Sequence, residues 1–265
     1  MPVRVALISD IHGNLPALEA VMQDIRRREV DQILCLGDMI GKGPSTREVV
    51  ELCRSVCSAV VKGNWEHLFH RRLETLRAGQ LGDALDRALW PVLGSLSPEQ
   101  VEYLGALPHS VELRLGDRLV RLFHAHPRDF TRYMPHSPVE QRMELFEYSE
   151  HSESKALADV AVYADIHNAY MQVLQGRILV NTGSVGNPLD ITQASYVLLE
   201  GEGDDPASFN IAFIRVPYDI DRAIAMAEAC AIPYLEGYIS ELRTAKYFNR
   251  VLAESEKALP RAYGQ

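Results

Sequence analysis

Two side chains that commonly bind metals, Asp10 and His12, follow directly after the first apolar run of the chain. Residues 3–8 form a β-branched, apolar run of strand length, and Asn14 and Pro16 supply an N-cap and a first-turn proline for a following helix. In an open α/β sheet, ligands bind at the carboxyl ends of strands. A buried strand has no structural need to end on Asp-x-His, whereas a metal site needs side chains of these types as ligands. This stretch therefore predicts a metal site.

Four later apolar runs also end in metal-binding side chains, at positions 38, 64, 124 and 165–167. A single histidine after a strand is weak evidence, but five such endings in one chain are hard to explain by chance. Carboxylate, imidazole and amide oxygen together suit Mn²⁺, Fe or Zn²⁺ better than a thiolate-bound metal. Seven ligands are too many for one tetrahedral site, but they fit two ions about 3.5–4 Å apart. The predicted ligands are Asp10, His12, Asp38, Asn64, His124, Asp165 and His167.

The elements that would carry these ligands alternate between strand and helix patterns, which is typical of a layered α/β fold. Residues 68–107 read as helical and residues 128–155 as a polar segment with aromatic residues, and both are expected to wall the site. The remainder is β-rich and ends in two predicted helices, at about 219–231 and 234–256. Without a linker, repeat or low-complexity tract, we expect one domain over residues 1–265.

Composition narrows the classes of partner. The formal net charge of −9 argues against a surface that binds nucleic acid stably. No apolar run has membrane length and no basic leader precedes one, so we expect a cytoplasmic protein without a membrane partner. The four cysteines form no CxxC pair. Cys53 and Cys57 are four residues apart on a predicted helix, and we interpret them as buried thiols rather than a metal-binding pair.

The ordered motifs resemble those of the calcineurin-like metallophosphoesterases, over about residues 3–190. The motifs are DIHGN at 10–14, GD at 37–38 with GP at 43–44, GNWE at 63–66, HAHP at 124–127 and ADIH at 164–167. In addition, NTGSVG at 181–186 resembles a loop of the small prokaryotic phosphodiesterase branch. The resemblance implies a four-layer α-β-β-α sandwich, in which two mixed β-sheets pack face to face with helices outside.

The resemblance also implies roles for the ligands. Asp10, His12 and His167 would bind one metal ion, while Asn64, His124 and the residue at position 165 would bind the other. Asp38 would bridge the two ions, and a hydroxide held between them would attack phosphorus. The implied cofactors are two divalent ions, with Mn²⁺ preferred and Fe, Zn²⁺, Ni²⁺ or Co²⁺ as alternatives.

Three positions depart from the family pattern. Trp65 replaces a histidine that contacts phosphate and can protonate the leaving group, and losing a general acid typically costs ~10²–10⁴-fold in rate. Asp165 replaces a ligand histidine; it could bind metal, which would favour Mn²⁺ or Fe, or lie outside the ligand set. His126 could replace the missing acid, bind a metal or only hydrogen-bond within its loop. We interpret Glu66 as a support for the loop.

The most direct functional prediction is a dinuclear metal-dependent phosphodiesterase or nucleotide phosphohydrolase acting on a small phosphorylated substrate. Asp38 and His126 are the residues predicted to take part in catalysis. One alternative is a weakened, metal-binding scaffold, since a retromer subunit uses the same fold with degenerate motifs. Nuclease or protein phosphatase activity is a further alternative, and the sequence leaves open whether the chain forms a homo-oligomer.

Overall fold

Two five-stranded sheets form the centre of the computed structural model, which describes residues 2–131 and 137–248. The first sheet has the order β10-β9-β1-β2-β3, with β1 at Val3–Ile8, β2 at Gln32–Cys35, β3 at Ala59–Val60, β9 at Ala194–Glu202 and β10 at Asp205–Val216. Strands β1, β2 and β3 pair in parallel, while β9 pairs antiparallel with β1, and β10 pairs antiparallel with β9. This sheet is therefore mixed.

The second sheet has the order β4-β5-β6-β8-β7 and is also mixed. Its strands are β4 at Ser110–Leu115, β5 at Arg118–Phe123, β6 at Val160–Tyr163, β7 at Ala169–Leu174 and β8 at Arg177–Thr182. Strands β5, β6 and β8 pair in parallel, and β4 and β7 pair antiparallel to them at the two edges. The carboxyl ends of the three parallel strands therefore share one edge of the sheet.

Helices cover the outer faces of both sheets, which confirms the predicted four-layer sandwich. Those on the side of the first sheet are α1 at Leu15–Arg27, α2 at Thr46–Val56, α3 at Asn64–Arg71, α4 at Leu73–Arg77, α5 at Ala84–Ser95, α6 at Pro98–Ala106, α8 at Ile220–Ala229 and α9 at Leu235–Thr244. The second sheet has a thinner cover, made by α7 at Val139–Met143 and a 3-10 turn at Glu144–Phe146.

Local sequence signals account for the start of the first helix. The side chain of Asn14 accepts a hydrogen bond from the backbone N–H of Ala17 at 3.2 Å, and Pro16 lies in the first turn, as predicted. The predicted helix at 219–231 is α8. The predicted final helix ends earlier than expected, at Thr244, and its C-cap Ala245 has a φ of +52°. The part of that prediction at 249–256 lies outside the described residues, as does the part of the predicted 128–155 wall at 132–136.

Three apolar layers hold the sandwich together. The layer between the sheets contains Val5, Leu7, Val120 and Val162, and none of these side chains is more than 2 % exposed. A second layer packs the first sheet against its helices, and a third lies on the outer face of the second sheet around Phe146. Among the described residues, no helix is long and apolar enough to cross a membrane.

Candidate metal centre

Six of the predicted ligands lie on short turns directly after strands, while the seventh, Asn64, is the first residue of α3, and the backbone of the turns is unusual. Five of the ligands have a positive φ, which is uncommon outside glycine and costs on the order of 1–3 kcal/mol per residue. The angles are +50° at Asp10, +48° at His12, +53° at Asp38, +66° at Asp165 and +61° at His167. Such strain persists only where the surrounding structure enforces it, and it is often found at functional sites.

Neighbouring turns hold each other in place through backbone hydrogen bonds. The carbonyl of Asp38 accepts from the N–H groups of Ile11 and His12 at 2.8 and 2.9 Å, and the N–H of Asp10 donates to Gly37 at 3.0 Å. Gly186 packs against the same turn so closely that a Cβ there would lie 1.8 Å from the carbonyl oxygen of Ile11. The positive φ angles of Asp10 and His12 are therefore enforced from two sides.

Six of the seven predicted ligands are joined by short distances between their polar atoms. His12 Nε2 lies 3.2 Å from His167 Nε2, which lies 3.4 Å from Asp10 Oδ1. His124 Nε2 lies 3.4 Å from Asp38 Oδ2 and 3.7 Å from Asp165 Oδ1. Two groups of atoms are close enough to hold a metal ion: Asp10, His12 and His167, and Asp10, Asp38 and His124.

Asp38 lies between the histidines of both groups. Its Oδ2 is 3.6 Å from His12 Nε2 and 3.4 Å from His124 Nε2, while its Oδ1 accepts a hydrogen bond from the backbone N–H of Trp65 at 2.9 Å. This placement suits the predicted bridging role. Asp10 belongs to both three-residue groups, so it is a second carboxylate that could contact two ions.

The seventh predicted ligand, Asn64, joins the cluster through Asp165. Its side-chain NH₂ donates to Asp165 Oδ1 at 2.7 Å, which leaves its own Oδ1 buried without a hydrogen-bond partner. An amide oxygen in that state is suited to a cation. Asp165 Oδ1 thus contacts both the amide of Asn64 and, at 3.7 Å, His124 Nε2, and the role of Asp165 as a metal ligand stays a prediction.

The unpartnered atoms of the cluster fit divalent cations. Asp10 Oδ1, Asn64 Oδ1 and His124 Nε2 are all buried without a hydrogen-bond partner, although buried polar atoms are normally satisfied. In His12, His124 and His167 the other ring nitrogen, Nδ1, faces a backbone carbonyl at 3.1, 2.6 and 2.6 Å. A histidine that donates from Nδ1 presents the lone pair of Nε2, which is the usual arrangement of a metal ligand.

Burial and charge set the protonation states of the cluster. Burial lowers the pKa of His12 to about 3, so its imidazole is neutral. Burial raises the pKa of Asp10, but the nearby imidazoles of His167, His124 and His12 outweigh this and bring it to about 2. Burial, with the charges of Asp38 and Asp10, raises the pKa of Asp165 to about 6. Cations would relieve the repulsion among these carboxylates.

Glu66 supports the turn that carries Asp38, as predicted. Its buried carboxylate accepts hydrogen bonds from the backbone N–H groups of Gly63 at 2.9 Å, Asp38 at 2.8 Å, Met39 at 2.8 Å and Ile40 at 3.3 Å. These bonds connect the start of α3 to the turn after β2. Glu66 therefore fixes the position of Asp38 rather than joining the ligand cluster.

Trp65 and His126, two of the unusual positions, have different surroundings. The indole of Trp65 lies edge-on to the imidazole of His12, with ring centroids 5.5 Å apart, and it lines the adjoining cavity. His126 is buried; its Nδ1 accepts from the N–H of Arg128 at 3.2 Å, and its Nε2 lies 3.8 Å from Glu144 Oε2. These contacts favour a role within the loop, and the catalytic role of His126 stays a prediction.

Several residues that support the site were not singled out from the sequence. Ser9 Oγ donates to Asp10 Oδ2 at 2.7 Å, and the carbonyl of Asn187 faces Nδ1 of His167. Lys42 Nζ donates to Asn187 Oδ1 at 2.5 Å and to Glu241 Oε2 at 3.0 Å. The position of Ser9 beside a predicted ligand was an available signal. The contact with Glu241 joins positions almost two hundred residues apart, which no local pattern reveals.

The cavity beside the cluster has walls that differ from those expected. Of the predicted wall at 68–107, only Ala88 lines it, and no described residue of the 128–155 wall does. Residues 233–248, around and after α9, form that side instead. The physical reason is that residues 68–107 pack mainly into the core beside α2, while Arg121 binds the 146–156 loop to the second sheet.

Comparisons with known proteins agree with this architecture. Residues 3–204 match the Calcineurin-like phosphoesterase superfamily domain. An uncharacterized protein from Methanocaldococcus jannaschii is 31% identical over 245 residues, covering 83% of this chain and 89% of that protein. A metallophosphoesterase from Sphaerobacter thermophilus superposes with a TM-score of 0.71 at 26% identity, covering 92% of this chain and all of that one. A hypothetical protein from Pyrococcus horikoshii shares the fold, with a TM-score of 0.67 at 21% identity, covering 91% and 97% of the two chains.

Proposed function

Because this chain belongs to the calcineurin-like phosphoesterase superfamily, we propose that it is a phosphodiesterase or nucleotide phosphohydrolase that uses two divalent cations, preferably Mn²⁺. The observation that supports this most strongly is the set of buried, unpartnered ligand atoms, Asp10 Oδ1, Asn64 Oδ1 and His124 Nε2. The family binds divalent metals, and these atoms sit where the family motifs converge. The substrate would be a small phosphorylated molecule.

The proposed cations would be held by both sheets. Asp10, His12 and His167 would hold one, and Asn64, His124 and Asp165 would hold the other, with Asp38 in contact with both. Divalent cations at such sites polarise phosphoryl oxygens and lower the pKa of water. The carbonyls of Ile40, Leu36 and Asn187 hold the three imidazoles in the orientation that presents Nε2.

The charge of the cluster favours diesters over monoesters. Before any nucleophilic hydroxide is counted, three carboxylates, Asp10, Asp38 and Asp165, would leave two divalent cations with a single excess positive charge. A phosphodiester carries one negative charge, while a monoester carries nearly two at neutral pH. A histidine at position 165 would leave two excess positive charges. Asp165 therefore shifts the preference of the site towards the singly charged substrate.

The substitution at position 65 favours substrates with a stable leaving group. Trp65 lines the cavity next to His12, and its indole N–H is a donor that does not release a proton at ordinary pH. A leaving group that departs as a stable anion needs no proton from the protein. Nucleotide anhydrides and aryl diesters meet this condition better than alkyl esters.

The test is hydrolysis of bis(p-nitrophenyl) phosphate in the presence of Mn²⁺. We expect metal-dependent release of p-nitrophenolate by the wild type and a loss of at least about 10²-fold in kcat in Asp38→Asn. Asp117→Asn is the matched control, because Asp117 also has a positive φ of +58° but lies exposed on the β4–β5 turn. Equal activity in the wild type and Asp38→Asn would refute the proposal.

A scaffold without catalysis is the second candidate, and the observation in its favour is Trp65 in place of a proton donor. A scaffold would show no hydrolysis of p-nitrophenyl phosphate, bis(p-nitrophenyl) phosphate or nucleoside triphosphates with any divalent metal. Hydrolysis of the diester in preference to p-nitrophenyl phosphate is the result that our proposal expects.

A further inference from the structure

The cavity beside the metal centre is larger than a phosphate group requires. Its volume is about 690 Å³, within the range of roughly 300–1,000 Å³ typical of sites for small organic molecules. At one end it is lined by Asp38, Asn64 and His167, and at the other by residues 233–248. A phosphate bound at the centre would therefore extend its organic group towards α9 and the residues that follow it.

Aromatic side chains dominate the distant wall. Tyr234, Tyr238, Tyr247 and Phe248 line the cavity there, and Trp65 lines it beside the metal centre. Tyr234 and Tyr247 are 45% and 52% exposed, so they are not simply part of a sealed core. Flat aromatic faces that border an open cavity are suited to stacking against a planar ring.

Polar groups are interspersed among these rings. Asn168 and Glu236 also line the cavity, and Lys42 contributes its ammonium group, 6.0 Å from the centre of the Tyr247 ring. Amide and carboxylate groups can hydrogen-bond to the edge of a heterocycle, whereas an acyl chain would leave them unsatisfied. The combination of stacking faces and polar groups therefore favours a nucleobase over a lipid chain.

Glu241 holds this wall in place before any ligand binds. Its Oε2 accepts from Lys42 Nζ and Asn187 Nδ2, both at 3.0 Å, and its Oε1 accepts from the N–H of Phe248 at 3.1 Å. The ring of Phe248 packs on Gly237, where a Cβ would lie 2.8 Å from its Cδ1. A wall positioned in this way loses little entropy on binding.

We propose that Tyr247 and Phe248, with Trp65 on the opposite side, form a subsite for the base of a nucleoside esterified to the phosphate. The inference rests on the proposed function and narrows its substrate class to nucleotides and nucleoside phosphodiesters. Tyr247 and Phe248 lie on the C-terminal segment, outside residues 3–204 that match the superfamily domain, whereas Trp65 lies within that range.

Binding measurements test the subsite without hydrolysis. The Mn²⁺-loaded full-length protein is titrated by calorimetry with AMP and with ribose 5-phosphate, in which a hydroxyl group replaces the base. We expect AMP to bind at least about tenfold more tightly, because base stacking on an aromatic side chain contributes at that level. In Tyr247→Ala and Phe248→Ala, the affinity for AMP should fall about 5–10-fold while that for ribose 5-phosphate is unchanged.

Tyr148→Ala is the matched control, because Tyr148 is 47% exposed and lies on the loop that borders a different surface pocket. It should leave both affinities unchanged. Equal affinities of the wild type for AMP and ribose 5-phosphate, equal losses of both in the variants, or no binding of either would overturn the subsite. If AMP keeps its advantage but no phosphoester is hydrolysed, the proposed function fails and the subsite stands.

Discussion

Trp65 is in contact with the proposed centre through two separate groups. Its backbone N–H donates to Asp38 Oδ1 at 2.9 Å, and its indole lies at 76° to the ring of His12. The backbone contact is independent of the side chain, so position 65 can help to hold Asp38 whatever residue occupies it. We therefore expect the side chain to affect which leaving groups the proposed centre can release, but not whether the cluster forms.

Replacing Trp65 with histidine should restore a proton donor. For a diester with an alkyl leaving group, we expect kcat in Trp65→His to rise about 10–10²-fold, within the range of general-acid catalysis. For bis(p-nitrophenyl) phosphate, whose leaving group needs no proton, kcat should change little. The measurement is steady-state kinetics with both substrates. Trp65→Phe is the control for lost volume, and a similar gain in that variant would contradict the explanation.

At the residue scale, the sequence predicted the ligands more completely than the residues that hold the ligands in place. Asp10, His12 and the later ligands stand at the ends of recognisable strands, so their types and spacing were visible without coordinates. The supporting role of Glu66 could be predicted because it lies two residues from Asn64. The direction of the His126 side chain could not be predicted, because it depends on Arg128 and Glu144 on a loop with no regular pattern.

At the scale of elements, α9 is joined to the turn after β2 by Lys42 and Glu241. Their side chains are 20% and 8% exposed, so solvent screens this ion pair only weakly. Burial raises the pKa of Glu241, but Lys42, the N–H of Phe248 and the amide of Asn187 lower it below its usual value of 4.5. Because the folded-state pKa is depressed, the stabilisation is present above pH 4.5 and is lost as the pH falls through the folded-state pKa.

We therefore expect Glu241→Gln to lower the local stability of α9. We expect amide hydrogen exchange in α9 to become about 5–30-fold faster at neutral pH, equivalent to roughly 1–2 kcal/mol. In the wild type this protection should weaken below the usual pKa of a glutamate, while in the variant it should not depend on the protonation of residue 241. Glu228→Gln, an exposed position on α8, is the control. Unchanged exchange in Glu241→Gln would show that the ion pair does not hold α9.

A buried arginine, Arg121, helps to bind the loop at 146–156 to the second sheet. Arg121, on β5, pairs with Glu112 at 2.7 Å and donates to the carbonyls of Phe146, Ser154 and Ala156. Its side chain has no exposed area, and that of Glu112 is 5% exposed. An arginine in a strand pattern gives no sign of this role, so the sequence could not predict where the loop would lie.

Removing Arg121 should be strongly destabilising, because it leaves Glu112 as a buried charge without its partner. We expect Arg121→Leu to lower the free energy of unfolding by about 3–5 kcal/mol in urea denaturation. Arg114→Leu, on the exposed face of the same hairpin, should change it by less than about 0.5 kcal/mol. In the double variant Arg121→Leu with Glu112→Leu, part of the loss should be recovered. Equal effects of the two single variants would contradict the role of Arg121.

At the scale of the whole molecule, the two sheets contribute different halves of the proposed centre. Asp10, His12, Asp38 and Asn64 follow strands of the first sheet, while His124, Asp165 and His167 follow strands of the second. The alternating pattern of strands and helices predicted a layered α/β fold because it reflects local periodicity, and the resemblance of the motifs to a known family implied the two sheets. The C-terminal wall of the cavity was not predicted, since it depends on long-range contacts of Lys42 and Asn187 with Glu241.

The number of metal ions bound by each chain tests the central claim most directly. The wild type and two variants, His167→Ala and His124→Ala, would be dialysed against Mn²⁺, and their bound metal determined by elemental analysis. We expect two ions per chain in the wild type and one in each variant, because each histidine belongs to a different group of ligands. One ion or none in the wild type, or two ions retained by both variants, would contradict it.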